Sequence, residues 1–156
     1  MIDDPDLGAL TVWTEARGEP RDGKAAVAQV LKNRMTLHYE SDGTVQGTAL
    51  KPNQFDAFWF AFSNGHYRRI CWTLSDALAQ ADKLLVQAKA QVGAWNDCSA
   101  AYNQVMAGTY EADTPSVFSL LIPRAVLYDN LSISTPPWAD PSKMICKIGQ
   151  HSFFSA

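Results

Sequence analysis

The strongest constraint on the fold of this chain is an apolar helix that has to end abruptly. Its last turn lies within the stretch Trp13-Thr14-Glu15-Ala16-Arg17-Gly18-Glu19-Pro20. Glycine and proline are the residues least compatible with a helix interior, so Gly18 and Pro20 stop the helix. The pattern predicts a first helix from Pro5 to about Arg17, which places Glu15 at its C-terminal end.

Glu15 is expected to have a raised pKa in this position. The neighbouring Val12 and Trp13 exclude water, and the C-terminal end of a helix carries negative partial charge, so both disfavour the carboxylate. A carboxylic acid that stays protonated near neutral pH is what cleavage of a glycosidic bond requires. The same octapeptide also fits a solvated acid in a helix-terminal turn, and the residues alone leave both interpretations open.

Length and composition predict a single domain, residues 1–156. Hydrophobic residues make up 47% of the chain, enough for a core and against disorder. The net charge of −3 provides no basic field that would favour nucleic acid or an anionic membrane. The local basic group His66, Arg68 and Arg69 is interpreted as a solvated loop.

The chain shows no targeting or membrane-spanning segment. The N-terminal residues Met1 to Asp6 are acidic and lack the basic start and apolar run of a signal peptide. No stretch approaches about 18 uninterrupted apolar residues, so we expect no transmembrane helix and no stable membrane association. Synthesis in the cytoplasm is therefore expected, and a target outside the membrane would require a separate route of release.

The cysteines and histidines predict no metal site and no cofactor. Cys71, Cys98 and Cys146 contain no CxxC spacing, and the three histidines are scattered singly. Free, partly buried thiols are expected, although one disulfide with a spare thiol stays open. No cysteine lies next to a histidine or at a helix N-terminus, as an activated nucleophile would.

Three further helices are predicted from apolar residues at helical spacing. They are Gly23 to Met35 capped by Asp22, a helix capped by Ser75 that runs to about Val92 and ends at Gly93, and a helix capped by Asp97 that runs through Met106 and stops at Gly108. Asp4 is the expected N-cap of the first helix.

The remaining segments predict few and short strands. Residues 36–53 are polar and predict a loop or short hairpin, the aromatic residues 54–62 show no clean period, and Asn64-Gly65 marks a turn. Residues 115–128 predict short strands or an irregular buried segment, and residues 144–154 a closing strand. Helices therefore dominate, and the predicted fold class is α+β.

Several motifs resemble the SleB-type cell wall hydrolases, a family that includes spore cortex-lytic enzymes and phage endolysins. The motifs are Glu15-Ala16-Arg17-Gly18-Glu19-Pro20, then Gly23, then Ala26-Val27-Ala28-x-Val30-Leu31-x-Asn33-Arg34, followed by Gln54-Phe55, Ala125-x-x-Tyr128 and Ile148-Gly149-Gln150-His151-x-Phe153. The first block is specific, and the later elements follow in the family's order. Three positions depart from the family pattern: Leu127 replaces a histidine, Gln150 an asparagine and Phe154 a tyrosine.

The resemblance implies a mainly helical, lysozyme-like fold with a few short strands. It also implies cleavage of the β-1,4 bond between N-acetylmuramic acid and N-acetylglucosamine in peptidoglycan glycan strands, with Glu15 as the catalyst. We expect a monomeric phage endolysin that is made in the host cytoplasm and acts on the cell wall after release. The departures from the family pattern keep open a non-catalytic peptidoglycan-binding or virion module.

A single catalytic glutamate favours a lytic transglycosylase. Gly18 and Pro20 prevent Glu15 and Glu19 from sharing one helix face, so Glu19 is expected in a structural ion pair with Arg17 or Arg34. One acid suffices if the C6 hydroxyl of muramic acid attacks its own anomeric carbon and forms a 1,6-anhydro sugar. A muramidase that uses water at the same site is the alternative, with Glu19, Asp56 or Asp129 as the second carboxylate.

The remaining site residues are predicted in supporting and binding roles. Asn33 and Arg34 are expected to brace the loop that holds Glu15. The predicted substrate-binding residues are Gln54, Phe55, Tyr128, Trp138 and His151. Gln54 would bind an acetamido group, Tyr128 would orient Glu15 or a sugar hydroxyl, and Phe55 and Trp138 would stack on sugar faces. His151 fits a structural histidine better than a proton carrier. For Trp59, a substrate platform and a buried core position fit equally well.

Overall fold

The computed structural model describes all 156 residues, and its centre is helix α1, Asp4–Ala16. Every residue of α1 from Leu7 to Trp13 is buried. The helix packs against α2 (Arg21–Leu37), α3 (Val45–Ala49), α4 (Leu74–Ala90) and α5 (Val92–Ala107). A helix surrounded in this way needs apolar residues on all its faces, which explains why its sequence shows no polar stripe.

Two small antiparallel sheets flank this helical core. Strands β1 (Phe60–Ser63) and β2 (His66–Arg69) form a hairpin across Asn64-Gly65, where both residues have positive φ. The second sheet has the order β3-β5-β4, from strands Leu127–Asp129, His151–Phe154 and Met144–Ile148. A short helix, α6 (Pro115–Phe118), precedes β3. The prediction of an α+β fold, mainly helical with short strands, is confirmed.

The predicted helix starts need correction. The side chain of Asp3, and not Asp4, caps α1, and Thr73, and not Ser75, caps α4 in a capping box with Asp76. Helix α5 begins at Val92, five residues before the predicted Asp97, because α4 and α5 are joined directly at Gln91. The predicted stop at Gly108 is confirmed, in the left-handed conformation.

The prediction that Asp22 caps α2 is wrong. Asp22 lies inside the first turn of the helix. Its carboxylate accepts hydrogen bonds from the Tyr110 hydroxyl at 2.6 Å and from the backbone N–H groups of Asp113 and Thr114. A side chain that satisfies three donors of a distant loop is unavailable to its own helix end. Asp22 therefore joins α2 to the loop after α5.

Three segments differ from their predicted structure. Residues 36–53 contain the helix α3, whose N-cap is Thr44. Residues 115–121 form helical turns, and only residues 127–129 of that region form a strand. The C-terminal segment is a two-strand hairpin, β4 and β5, because Gly149 adopts a positive φ that reverses the chain. Each helix of the protein is too short or too polar to cross a membrane.

At Gly8, α1 lies directly against the Tyr102 ring of α5, and we expect replacement of this glycine by alanine to destabilise the fold. A Cβ at this position would lie 2.0 Å from the Cζ of Tyr102, which is itself buried. Overpacking of this kind costs roughly 1–3 kcal/mol. Urea unfolding of Gly8→Ala should show a loss in this range.

Gly93→Ala is the matched control, since a Cβ at this helical glycine meets no atom within 4 Å. It should leave stability unchanged or raise it by up to about 1 kcal/mol. Equal stability losses in the two variants would contradict the packing of Gly8 against Tyr102.

Candidate active site

A cleft of about 960 Å³ crosses the end of α1. One wall comes from the segment after α3, the β1–β2 hairpin and one face of α4. The other wall comes from β3 and the loop that leads from it to Trp138. The residues that line the cleft include Trp13, Glu15, Arg34, Gln54, Asp56, Phe62, Tyr67, Gln80, Gln87, Tyr128, Asp129, Trp138 and His151. The cleft is therefore built around the helix terminus that the sequence singles out.

Glu15 lies in this cleft as the penultimate residue of α1. The pKa of Glu15 is raised to about 7, first by burial and then by the negative charges of the nearby Asp56 and Asp129. The Tyr128 hydroxyl, as a hydrogen-bond donor, and the Arg34 guanidinium act in the opposite direction. The carboxyl group is thus half-protonated near neutral pH, yet it has partners that stabilise its charged form.

Arg34 is 4% exposed and connects three parts of the site. Its Nε donates a hydrogen bond to the Val126 carbonyl at 2.7 Å, and its Nη1 donates to Gln54 Oε1 at 3.0 Å. The guanidinium also lies over the Phe55 ring, 5.2 Å from the centroid. A buried cation held on several sides keeps its position relative to Glu15.

Asn33 holds the chain that leads into β3. Its Nδ2 donates hydrogen bonds to the carbonyls of Leu121 and Ala125, at 2.9 and 2.8 Å, and its Oδ1 accepts one from Gln29. The prediction that Asn33 and Arg34 brace the loop of Glu15 is corrected by these contacts, since both side chains bind residues 121–126. They thereby fix the strand that carries Tyr128.

The predicted ion pair of Glu19 with Arg17 or Arg34 does not form. Glu19 Oε1 accepts a hydrogen bond from the Gln150 backbone N–H at 3.0 Å and lies 3.2 Å from His151 Nδ1. These contacts tie the turn after α1 to the β4–β5 turn. Arg17 instead lies over the Trp13 ring, 4.2 Å from its centroid, and its Nη1 donates a hydrogen bond to the Trp13 carbonyl at 3.3 Å.

Tyr128 is held between aromatic neighbours on the far wall of the cleft. Its ring lies 5.1 Å from the His151 ring and 5.7 Å from the Phe153 ring, centroid to centroid. Burial and the negative charge of Glu15 raise the pKa of Tyr128 well above its usual value, so its hydroxyl remains a donor. His151 has a lowered pKa, first because of burial, although Glu19 and Asp129 oppose this effect.

The structure brings most of the predicted binding residues to the cleft. Gln54, Tyr128, Trp138 and His151 line it, as do both additional acids, Asp56 and Asp129. Phe55 does not, because its ring lies under the Arg34 guanidinium in the core and is 1% exposed. The prediction that Phe55 stacks on a sugar is therefore wrong, and Trp59, which is also buried, belongs to the core.

Sequence analysis missed the cleft residues of the β1–β2 hairpin and of α4. Phe62 and Tyr67 face each other across the hairpin, and Gln80 and Gln87 project from α4 into the same wall. The Asn64-Gly65 turn was the available signal for the hairpin. The sequence gives no comparable signal for the α4 glutamines, because exposed glutamines are common on any helix.

The cysteines lie outside the cleft. Cys71 and Cys98 are buried and Cys146 is half-buried, and all three are unpaired. Burial raises the pKa of each thiol, that of Cys98 to about 11, which disfavours the nucleophilic thiolate. No group of three or more His, Cys, Asp or Glu side chains is arranged to hold a metal ion.

Comparison with known proteins gives one family and two similar structures. The sequence pattern of the family described as Cell Wall Hydrolase matches residues 18–154, beginning three residues after Glu15. The catalytic domain of the germination-specific lytic transglycosylase SleB from Bacillus anthracis is 24% identical, with a TM-score of 0.61, over 97% of this chain and 93% of that chain. The catalytic domain of the Bacillus cereus SleB protein is 25% identical, with a TM-score of 0.59, over 97% and 89%. A search of curated proteins finds no match.

The raised pKa of Glu15 predicts a pH-dependent stability difference between the protein and its Glu15→Gln variant. Below about pH 4.5, the usual pKa, the folded and unfolded states both hold the proton and Glu15 costs nothing. Between pH 4.5 and about 7 the unfolded state ionises first, so the native protein loses stability as the pH rises. The variant should therefore be more stable above pH 7, by up to about 3 kcal/mol.

Urea unfolding of both proteins from pH 4 to pH 8 measures this difference. We expect it to grow through the window between the two pKa values and to level off above it. A stability difference that is constant from pH 4 to pH 8 would show that the pKa of the Glu15 carboxyl group is not raised.

Proposed function

The chain belongs to the cell wall hydrolase family, and on that premise we propose that it cleaves the glycan strands of peptidoglycan, with Glu15 as the catalytic acid. The observation that carries this proposal is a carboxyl group with a pKa of about 7 in an open cleft. Glycosidic oxygens are poor leaving groups unless they are protonated, and an acid of this pKa still holds its proton near neutral pH. The cleft is also large for one sugar ring, since pockets for drug-sized ligands span roughly 300–1,000 Å³.

We propose that the bond is broken by lytic transglycosylation. Glu15 donates its proton to the oxygen that joins N-acetylmuramic acid to N-acetylglucosamine, and the bond from that oxygen to the anomeric carbon breaks. The resulting carboxylate then accepts the proton of the muramic acid C6 hydroxyl, whose oxygen bonds to the same anomeric carbon. The product is a 1,6-anhydro sugar, water is not consumed, and Glu15 ends protonated.

The neighbours of Glu15 support both halves of this cycle. Burial, Asp56 and Asp129 favour the protonated acid that starts the reaction. The Tyr128 hydroxyl and the Arg34 guanidinium favour the carboxylate that forms after the first step, which is the form that acts as a base. A group that has to hold a proton and then take one works best when its pKa lies close to the ambient pH.

Hydrolysis at the same site is the second candidate. The observation that favours it is the presence of Asp56 and Asp129 in the same cleft as Glu15. A second carboxylate can activate water or form a covalent intermediate, which gives a muramidase. Asp129 already accepts hydrogen bonds from the Asn130 backbone N–H and the Ser134 hydroxyl, whereas the Asp56 side chain accepts none from the protein. Asp56 is therefore the better placed of the two for a reacting water.

For its biological role, we propose a phage endolysin that is made in the host cytoplasm and reaches the cell wall after release. The support for this role is the resemblance of the sequence motifs to a family that contains such enzymes. The proposed partner is the peptidoglycan glycan strand, which the protein binds as a monomer and without stable membrane association. Clearing of permeabilised Gram-negative cells tests the enzymatic part of the role.

Replacement of Glu15 by glutamine should abolish that clearing while the protein stays folded. Glutamine fills the same volume and cannot donate the proton, so we expect a loss of at least about a hundredfold in rate. Glu111→Gln is the matched control, because Glu111 is exposed and lies outside the cleft. Full clearing by Glu15→Gln, or equal losses in the two variants, would contradict the proposed role of Glu15.

The sugar product distinguishes the two mechanisms. Mass spectrometry of digested peptidoglycan should show muropeptides lighter by one water than those with a reducing end, and they should resist borohydride. Asp56→Asn and Asp129→Asn should then retain this anhydro product. A product with a borohydride-reducible end, lost in Asp56→Asn, would establish the muramidase instead.

A further inference from the structure

Two neighbouring aromatic side chains on the β1–β2 hairpin are both largely exposed to solvent. Phe62 and Tyr67 are paired in the strand register, and their side chains are 65% and 71% exposed. Their ring centroids lie 5.3 Å apart, with the ring planes tilted by 59°. Large apolar side chains that are clustered and still exposed commonly mark an interaction surface.

These rings form one part of the cleft wall together with α4. Gln80, Leu84 and Gln87 also line the cleft, and their spacing of four and three residues places them on one face of the helix. The amides of both glutamines make no hydrogen bond to another protein group, whereas the Gln54 amide oxygen in the same cleft is bonded to Arg34. The hairpin and this helix face thus combine aromatic surface with available amide donors and acceptors.

We propose that Phe62, Tyr67, Gln80 and Gln87 form a sugar subsite that binds an N-acetylated hexosamine ring of the glycan strand. This inference rests on the proposed function, because the cleft must be one that binds glycan strands. The apolar C–H face of a pyranose ring packs on an aromatic face, and the second, tilted ring closes one side. The two glutamine amides match the hydroxyl and acetamido groups at the ring edge.

The absence of charged side chains in the proposed subsite favours a sugar over the peptide stem of peptidoglycan as its ligand. Stem peptides carry carboxylates, which call for a basic partner, but the proposed subsite contains only neutral side chains. Of the basic residues in β2, His66 and Arg68 do not line the cleft, and Arg69 donates a hydrogen bond to the Cys71 carbonyl. A neutral aromatic and amide surface suits an uncharged N-acetylhexosamine.

The subsite lies on elements that contribute no group to the titration of Glu15. The residues that shift the pKa of Glu15 are Asp56, Tyr128, Arg34 and Asp129, none of which belongs to the hairpin or to α4. The cleft, of about 960 Å³, has room for more than one sugar ring, and the proposal places on the hairpin a ring of the strand other than those joined by the scissile bond. It contributes to binding only when the strand is long enough to reach it.

The test measures the binding of peptide-free glycan strands to the protein in a Glu15→Gln background, which cannot cleave them. In this background, the double variant Phe62→Leu/Tyr67→Leu keeps apolar volume but removes both aromatic faces. We expect the Kd for long strands to rise about tenfold, equal to about 1.4 kcal/mol, while the Kd for a disaccharide stays unchanged. Tyr67→Phe, which retains the ring, should keep the parental affinity.

Trp72→Ala is the matched control, because Trp72 is equally exposed, at 68%, but lies outside the cleft. It should leave the Kd unchanged, and all variants should keep the parental Tm because the replaced side chains are solvent-exposed. An unchanged Kd for long strands in the double variant would overturn the subsite. So would a loss of affinity for intact sacculi without a loss for peptide-free strands, since that result would assign the surface to the peptide stem.

The outcomes separate this inference from the proposed function. The binding assay does not depend on catalysis, and the product assay does not depend on the hairpin. Tight, hairpin-dependent binding of long strands supports the subsite even if digestion by the parental protein gives a borohydride-reducible product, a result that overturns only the transglycosylase. Conversely, an anhydro product with hairpin-independent binding overturns the subsite and leaves the catalytic proposal in place.

Discussion

The burial of one carboxyl group at the end of α1 is the interaction on which the site depends. Glu15 is placed at that end because α1 is buried on all sides up to Trp13 and then terminates before Gly18. Loss of water and two neighbouring acids favour the proton, while one phenol and one guanidinium favour its release. The resulting pKa near neutrality is a balance, so each of these groups has to be held in place.

Long-range hydrogen bonds hold the opposite wall of the cleft against Glu15. Asn33 and Arg34, near the C-terminal end of α2, bind carbonyls within residues 121–126 and so fix β3 and Tyr128. Glu19 binds the turn between β4 and β5, which carries His151 to the side of the Tyr128 ring. The segment that follows α1 is therefore tied to the C-terminal hairpin, and the conformation of that hairpin affects the surroundings of the Glu15 carboxyl group.

Local sequence signals were sufficient to predict the main helices and the position of Glu15 at a helix end. They were not sufficient to predict the long-range hydrogen bonds around the site. Glycine and proline end α1 through backbone effects within a few residues, and the sequence shows these directly. The partner of Glu19 lies 131 residues away and that of Asn33 88 residues away, and no local pattern encodes such pairs. Phe55 and Phe62 occur in one aromatic run without a period, so only the structure assigns the first to the core and the second to the cleft.

The most direct test of this account is an NMR titration of the Glu15 side-chain carboxyl carbon, assigned by its absence from the Glu15→Gln spectrum. We expect a midpoint at about pH 7, well above the usual pKa of 4.5. A midpoint close to 4.5 would mean that Glu15 is ionised and solvated near neutral pH. That result would contradict its role as the proton donor and, with it, the mechanism derived from the cleft.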